Sequence, residues 1–222
     1  MYGQEIQQLL KDLAWVDDVT YYHSLKVAFL MSRFAETLTG KLMIKQAWVT
    51  RNEWVATGLL HDIGKLRWPR EVLFSTTLLK DMEIAELSDS WRYIVEHPLA
   101  SEKIILEFYE RTGNRFWERI AKGVAAHHEN YMGGGYPYKL KGTEIPLLAR
   151  GLQIFDRFAA LTGVKRYRME SLESPSAIKE MQNMLGCIFD PYWGERILDF
   201  LAGVEVTPNL DDWITEEMKN FD

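Results

Sequence analysis

The sequence predicts an all-α protein. Apolar residues recur at helical spacing through nearly all of its 222 residues, and no segment shows the clear apolar–polar alternation of a half-buried strand. Only residues 204–206 hint at a strand, and weakly. No internal repeat or low-complexity linker divides the chain. We therefore expect residues 1–222 to form a single helical domain, which is long enough to bury a substantial core.

The N-terminal helices are predicted from an apolar stripe and from capping signals. Residues 20–39 place apolar side chains at three- and four-residue intervals, and Gly40 follows as a stop signal. Thr50 and Glu53 have the spacing of a capping box, in which the hydroxyl and the carboxylate each accept a backbone N–H. This box predicts a helix that runs from residue 50 toward Gly64.

The middle and C-terminal helices follow from the same two signals. Apolar stripes predict helices over residues 101–111, 116–124 and 145–161. Two later helices are predicted to begin where an N-cap residue precedes a first-turn proline, at Ser174-Pro175 and at Asp190-Pro191. Between these segments lies a glycine-rich loop, which the sequence predicts to be irregular.

Composition narrows the classes of function. The net charge is −6 and no basic stripe is evident, which argues against binding to long nucleic acid. No window approaches the roughly 18 consecutive apolar residues of a membrane span. The first twenty residues lack the basic start and apolar core of a signal peptide, so we expect a cytoplasmic protein. The single cysteine, Cys187, cannot form an internal disulfide, and we expect it to be a small core residue.

The five histidines are the main candidates for a functional site: His23, His61, His97, His127 and His128. Imidazole is the commonest protein ligand for borderline divalent metals, and carboxylates supply the charge that such ions need. His23 and His127 fall on the apolar faces of their predicted helices. Asp156 falls on the apolar face of the 145–161 helix, where a lone carboxylate would be costly. Several ligand-type side chains are thus predicted to point into one core.

Each of these residues also has a purely structural interpretation. A lone histidine on an apolar face is usually a hydrogen-bonded core residue, and a His-Asp dipeptide arises often by chance. Glu129 is expected to be a solvated loop residue or a residue that supports a ligand from behind. Residues 133–135 fit a flexible turn as well as a binding loop. Taken one at a time, the residues leave both interpretations open, whereas their joint order and spacing favour a metal site.

The motifs occur in a definite order along the chain. They are His61-Asp62-Ile63-Gly64-Lys65, His97-Pro98, His127-His128-Glu129, Gly133-Gly134-Gly135-Tyr136-Pro137, Asp156 and Phe189-Asp190-Pro191. This order resembles the HD-GYP family of the HD phosphohydrolase superfamily, whose members cut cyclic di-GMP. The similarity runs from about residue 23 to residue 201 and includes all five histidines. It implies an HD-type helical bundle with additional C-terminal helices.

The resemblance also implies a centre with two divalent metal ions. One ion would be held by His23, His61, Asp62 and Asp156. Asp62 would bridge to a second ion, which would be held by His97, His127 and His128. Two ions about 3.5–4 Å apart can hold a hydroxide between them that attacks a phosphodiester. Imidazole and carboxylate ligands suit Fe or Mn, our leading expectation, and also Zn, Ni or Co.

The resemblance assigns further residues to catalysis and substrate binding. Asp62 would act through the metals, and Lys65 would neutralise charge that grows on the phosphoryl oxygens. Lys165 and Arg168 would grip a phosphate, with a solvated basic face as the alternative. The glycine loop would shape the substrate mouth through Gly134, Tyr136 and Pro137. Val19 stands where some members have a glutamate for a third metal, and its aliphatic side chain offers no ligand atom, so two metals are expected.

The expected function is therefore hydrolysis of a cyclic dinucleotide in bacterial signalling, with cyclic di-GMP as the leading substrate. One rival is an HD phosphohydrolase that acts on another nucleotide or phosphoester, and the Gly-Tyr-Pro motif argues against it. A second rival is a catalytically weak receptor for the dinucleotide, and the intact ligand set with Lys65 argues against that. The partners left open are a second copy of the chain and a signalling protein, with no membrane involved.

Overall fold

The computed structural model describes residues 2–73, 84–163, 172–204 and 209–221, without the side chains of residues 84–90. These ranges contain eleven α-helices and no β-strand, so the all-α prediction is confirmed. The helices are α1 Gly3–Val16, α2 Asp18–Ala35, α3 Leu38–Gln46, α4 Arg51–Leu60, α5 Arg70–Leu73, α6 Ile84–Thr112, α7 Arg115–Ala125, α8 Leu147–Thr162, α9 Ser174–Gln182, α10 Pro191–Ala202 and α11 Leu210–Glu217. None of the described helices is long and apolar enough to cross a membrane. Residues 205 and 206, and with them most of the weak strand signal, lie outside these ranges.

Gly40 does not stop a helix, and that prediction is wrong. It lies inside α3, where Thr37 is the N-cap and its side chain accepts a hydrogen bond from the Gly40 N–H. A Cβ at position 40 would lie 1.9 Å from the carbonyl oxygen of Phe34 at the end of α2. Glycine is therefore required by the close approach of α3 to the end of α2. This glycine therefore indicates a close contact between two helices and not the end of one.

The capping box at the start of α4 is confirmed. The Thr50 hydroxyl accepts the N–H of Glu53 at 3.2 Å, and the Glu53 carboxylate accepts the N–H of Thr50 at 2.7 Å. The helix then ends at Leu60, before the expected Gly64. A short 3-10 segment, Ile63–Arg67, follows, and this break in the helix turns the chain directly after the His-Asp pair.

Helix α6 begins at Ile84, far earlier than the predicted start at residue 101. It continues through Pro98, although proline removes one backbone hydrogen bond in a helix interior. The apolar stripe is hard to recognise in its first half because Trp91, Arg92 and Glu96 are exposed. Its end is as predicted, with Gly113 next at a positive φ of 66°.

The core lies where α2, α4 and α8 meet. Phe34 of α2 and Phe155 of α8 are fully buried, with ring centroids 5.5 Å apart. The buried Trp54 of α4 packs edge-on against Phe155 and donates its indole N–H to the carbonyl of Met31 at 3.0 Å. Aromatic pairs in this geometry add about 0.5–1.5 kcal/mol to the burial of their surface. The core therefore fixes the three helices that carry His23, His61 and Asp156.

Two predictions near the C terminus need correction. Glu173 rather than Ser174 is the N-cap of α9, which places Pro175 at the second helical position. Cys187 is exposed rather than buried, because it lies in the turn between α9 and α10, where Phe189 takes the core position instead. The start of α10 is as predicted, since the Asp190 carboxylate accepts the N–H groups of Tyr192 and Trp193.

Candidate metal centre

The seven candidate ligands come from five parts of the chain and lie close together, four of them buried and three partly buried, and we call this candidate site the metal centre. His23 is on α2, His61 and Asp62 directly follow α4, His97 is on α6, His127 and His128 follow α7, and Asp156 is on α8. The expectation that His127 lies on a helix face is wrong, because α7 ends at Ala125 and both histidines occupy the turn after it. That turn lets two consecutive side chains reach the same site.

The ligand atoms cluster in three groups, each with all its atoms within 4.8 Å of one another. The groups are His23 with His61 and Asp156, His97 with His127 and His128, and His61 with Asp62 and His127. The first two groups contain six of the seven ligands that the resemblance implies, and Asp62 enters through the third group, which shares His61 with the first and His127 with the second. The described residues therefore contain a cluster that could hold metal.

The orientation of three imidazoles leaves one ring nitrogen facing the cluster. His61, His97 and His127 each place Nδ1 against the backbone carbonyl three residues earlier, at 2.9, 2.6 and 2.6 Å. A carbonyl oxygen only accepts, so Nδ1 must donate. The neutral ring then has a lone pair on Nε2. Metal-bound histidines typically have this second hydrogen bond, which fixes the tautomer and the ring direction.

The Nε2 atoms that face the cluster are better suited to bind a cation than to hydrogen-bond to one another, because each of them is an acceptor. His61 Nε2 is buried and has no hydrogen-bond partner among the described residues. His97 Nε2 and His127 Nε2 lie 3.4 Å apart. A buried acceptor without a donor costs about 1–3 kcal/mol, and a divalent ion would remove that cost by taking the lone pairs. The residues present therefore fit a metal.

The charge states also suit ligation. Burial lowers the pKa of His61 and His127, and it lowers the pKa of His128 to about 4, so these rings are neutral at pH 7. Burial works against ionisation of Asp62 and Asp156, but the Lys65 charge beside Asp62 and the His23 hydrogen bond to Asp156 outweigh it and hold both pKa values well below the usual range. Metal ligation requires this combination of neutral imidazole and ionised carboxylate.

Lys65 lies on the 3-10 segment directly after the His-Asp pair. Its Nζ is 2.6 Å from Asp62 Oδ2. Burial would lower the pKa of the Lys65 ammonium, but Asp62 outweighs that effect and raises it, so the side chain is charged at pH 7. The centre therefore has a fixed cation beside the carboxylate that joins its two halves.

Ser101 holds the turn that presents this lysine, a role that the sequence did not predict. Its hydroxyl donates to the carbonyl of His61 and accepts the N–H of Gly64, both at 2.8 Å. A Cβ on Gly64 would lie 2.4 Å from the carbonyl oxygen of His97, so only glycine allows the turn to approach α6 this closely.

The glycine loop folds over His128. The Tyr136 ring centroid lies 4.9 Å from that of His128, and the peptide bond from Tyr136 to Pro137 is cis. Gly134 is exposed with a positive φ of 82°, which glycine adopts readily. A Cβ at position 135 would lie 2.3 Å from the backbone nitrogen of Asn130, so the loop and the histidine turn are in direct contact.

Glu129 anchors this loop. It is almost fully buried and accepts the backbone N–H groups of Tyr138 and Leu140 at 2.6 and 3.1 Å. Gln153 of α8 donates to the Glu129 carbonyl at 2.8 Å. The expectation of a solvated Glu129 is therefore wrong. Glu129 supports the ligands only indirectly, by holding the backbone of the loop that follows them.

Lys165 and Arg168, predicted to bind phosphate, lie outside the described residues.

Comparison with known proteins agrees with this geometry. The HD domain family matches residues 10–192. A 3'3'-cGAMP-specific phosphodiesterase of Vibrio cholerae is 31% identical over 191 residues, covering 83% of this chain and 39% of that protein. The cyclic di-GMP phosphodiesterase response regulator RpfG of Xanthomonas campestris is 33% identical over 180 residues, covering 80% of this chain and 44% of that protein. The chain spans less than half the length of these curated relatives.

Solved structures support the fold. A cyclic GMP-AMP-specific phosphodiesterase of V. cholerae superposes with a TM-score of 0.59 at 17% identity, covering 99% of this chain and 53% of that one. The HD domain of Listeria monocytogenes PgpH, solved with cyclic di-AMP, gives 0.55 at 17% identity, covering 87% and 93%. These two likenesses concern the fold alone. The family match over residues 10–192, with the curated relatives, shows that the chain belongs to the HD domain superfamily, in its HD-GYP branch.

Proposed function

We propose that this chain is a metal-dependent phosphodiesterase that hydrolyses a cyclic dinucleotide, with cyclic di-GMP as the leading substrate. The observation that carries the proposal is the third ligand group, which joins the other two through His61, Asp62 and His127. Two metal ions held side by side by such linked groups could clamp both the attacking and the leaving oxygens of an in-line displacement at a phosphodiester. The relatives named above act on cyclic dinucleotides, which supports the same substrate class.

The proposed cofactor is a pair of divalent ions. His23, His61 and Asp156 would hold one ion, and His97, His127 and His128 would hold the other, with Asp62 between them. Such a pair supplies an activated water and neutralises phosphate charge when bound. Fe or Mn is our leading choice, with Zn, Ni or Co as alternatives, because all accept imidazole and carboxylate ligands. Val19 supplies no ligand atom for a third ion.

Protein side chains would stabilise the transition state and bind the substrate. Lys65 is already charged and placed beside Asp62, so it would stabilise the negative charge that develops on the phosphoryl oxygens without having to reorganise. Gly134, Tyr136 and Pro137 would form one side of the mouth, because the loop that carries them contacts His128. Lys165 and Arg168 would hold a second phosphate.

Product analysis tests this proposal directly. Purified protein reconstituted with Fe, Mn, Zn, Ni or Co would be incubated with cyclic di-GMP, 3'3'-cGAMP and cyclic di-AMP, and the products separated by chromatography. We expect metal-dependent conversion of cyclic di-GMP to a linear dinucleotide or to GMP. Tight binding without conversion in every metal would instead indicate a receptor, and conversion only of other phosphoesters would indicate a different HD phosphohydrolase.

Metal stoichiometry provides a second test. Elemental analysis of the active form, with crystallography, should give about two ions per chain in one shared site. A single ion at full occupancy, or an ordered third ion near Val19, would contradict the proposed centre.

A further inference from the structure

Aromatic side chains that are not ligands lie against the metal centre. Trp68 follows the 3-10 segment of Lys65, and its ring centroid is 6.1 Å from that of His97. Tyr93, one turn before His97 on α6, has its ring 6.2 Å from Trp68. We call this pair the Trp68 wall. The Lys65 Nζ lies 5.6 Å from the centroid of the Trp68 ring, so the proposed phosphate-binding charge and this wall are in contact.

A second pair adjoins the neighbouring ligand. The Tyr136 ring packs at 4.9 Å from His128, and the ring of Trp91 lies 6.4 Å from Tyr136. We call this pair the Trp91 wall. The rings of His97 and His128, from which the two walls start, are themselves only 5.0 Å apart. The ligand group of His97, His127 and His128 therefore has one aromatic pair beside His97 and the other beside His128.

These aromatic residues are not core residues. Trp54 and Trp117 are almost fully buried, as expected of tryptophans that stabilise the fold. Trp91 is 52% exposed, and Trp68, Tyr93 and Tyr136 are only partly buried. A large apolar ring that remains in water beside a polar centre contributes little to folding, but it offers a flat surface to a ligand.

We propose that the Trp68 wall and the Trp91 wall are base-stacking surfaces for the two nucleobases of a dinucleotide. The inference rests on the proposed function, because it places the phosphate at the metal centre between them. Proteins that hold unpaired bases use aromatic rings in this way, and stacking is tolerant of base identity because every base has a π-face. The walls would therefore select for nucleotides over base-free phosphates, while discriminating weakly among the bases, guanine and adenine included.

The test compares two probes that differ only in the base. Guanosine 5'-monophosphate and ribose 5-phosphate carry the same sugar and the same phosphate, and their affinities for metal-loaded protein can be measured by calorimetry. We expect the wild type to bind the nucleotide roughly 5- to 100-fold more tightly. The double variant Trp68→Leu/Trp91→Leu should lose most of that preference and keep its affinity for ribose 5-phosphate. Tyr192→Leu is the matched control, since that exposed ring stacks on Arg196 of α10.

Several outcomes would overturn the proposal. One is a wild type that binds both probes with equal affinity, and another is a double variant that keeps its full preference for the nucleotide. A third is a Tyr192→Leu control that loses that preference, and a fourth is a double variant that loses affinity for both probes equally. Metal content and circular dichroism check that the variants are folded and loaded. Because the readout is binding, the two hypotheses separate: a chain that prefers the nucleotide but cleaves no cyclic dinucleotide would refute the proposed function alone.

Discussion

The metal centre and three ion pairs with buried carboxylates elsewhere in the helices are built from different side chains. The ion pairs join Arg51 to Glu217, Arg119 to Glu53 and Arg150 to Asp190. Their carboxylates are all nearly inaccessible to water, like Asp62 in the metal centre. In the ion pairs, however, each carboxylate meets a guanidinium, which supplies a permanent charge and several donors in a fixed plane. Those clusters are complete within the protein.

The metal centre is not complete in the same sense. Its one nearby cation, among the described side chains that contact Asp62, is Lys65. The imidazoles of His61, His97 and His127 turn Nε2 inward, because their Nδ1 atoms face backbone carbonyls. His61 Nε2 is left without a hydrogen-bond partner in the described structure. A buried charge that the protein satisfies is typical of structural stabilisation, whereas buried acceptors that it leaves unsatisfied indicate a site for a ligand. The following substitutions test this distinction.

Asp62→Ala should have the largest effect. It removes the carboxylate that both proposed ions share, so we expect loss of metal and a decrease in kcat/KM of at least about 10³-fold, since residues behind a ligand alone cost about 10–100-fold. Metal addition should raise the melting temperature of the wild type but not of the variant. Elemental analysis and thermal scans measure both. Asp199→Ala, which alters an exposed carboxylate on α10, is the control and should bind metal normally.

Lys65→Ala should separate catalysis from metal binding. The ammonium is proposed to act on the transition state, so kcat should decrease by roughly 10²–10³-fold while metal content is unchanged. Lys122→Ala, at an exposed lysine of α7, controls for loss of a positive charge. If Lys65→Ala stripped the metals while Asp62→Ala retained them, the roles assigned to the two residues would be wrong.

Arg51→Met should behave in the opposite way, as a change in a structural pair. It leaves Glu217, which is 5% exposed, without its cation, and we expect the free energy of unfolding to fall by about 2–4 kcal/mol. Metal content and kcat of the folded protein should not change. Denaturant unfolding with Arg115→Met as control, where an exposed pair is worth at most about 1 kcal/mol, measures the difference.

A second substitution sharpens that result. Replacing both partners, Arg51→Met with Glu217→Leu, should recover much of the lost stability, because no charge remains buried. If fully folded Arg51→Met protein had lost metal or activity, the distinction between structural ion pairs and a functional metal centre would be wrong.

The last substitution concerns Lys165 and Arg168. Neutral replacement of both should lower kcat/KM for cyclic di-GMP by about 10²-fold or more, since each charge-assisted contact is worth roughly 1.5–3 kcal/mol. The small substrate bis(p-nitrophenyl) phosphate lacks the second phosphate and should be affected far less. Steady-state kinetics at low and moderate salt distinguish this from a solvated basic face, which gives only a small, salt-sensitive effect. Equal losses on both substrates would reject phosphate binding by the pair.

Much of the structure is predictable because its causes are local. Helical periodicity, the Thr50–Glu53 capping box and the Asp190-Pro191 start depend on residues within one or two turns, so the sequence determined the all-α class and these boundaries. The types of the seven candidate ligands, and the order in which they occur, were also available from the motifs. Their approach to within metal-binding distance follows from the packing of α2, α4, α6 and α8 around the turn after α7.

Only the tertiary structure decided features that depend on contacts between distant segments. Gly40 resembles a helix stop until α3 is seen against the end of α2, and Cys187 resembles a core residue until Phe189 takes that place. Glu129 is buried because the backbone N–H groups of residues 138 and 140 donate hydrogen bonds to its carboxylate. The pairing of Trp91 with Tyr136 joins residues 45 positions apart. Periodicity reports which face of a helix is apolar, but only packing decides what that face meets.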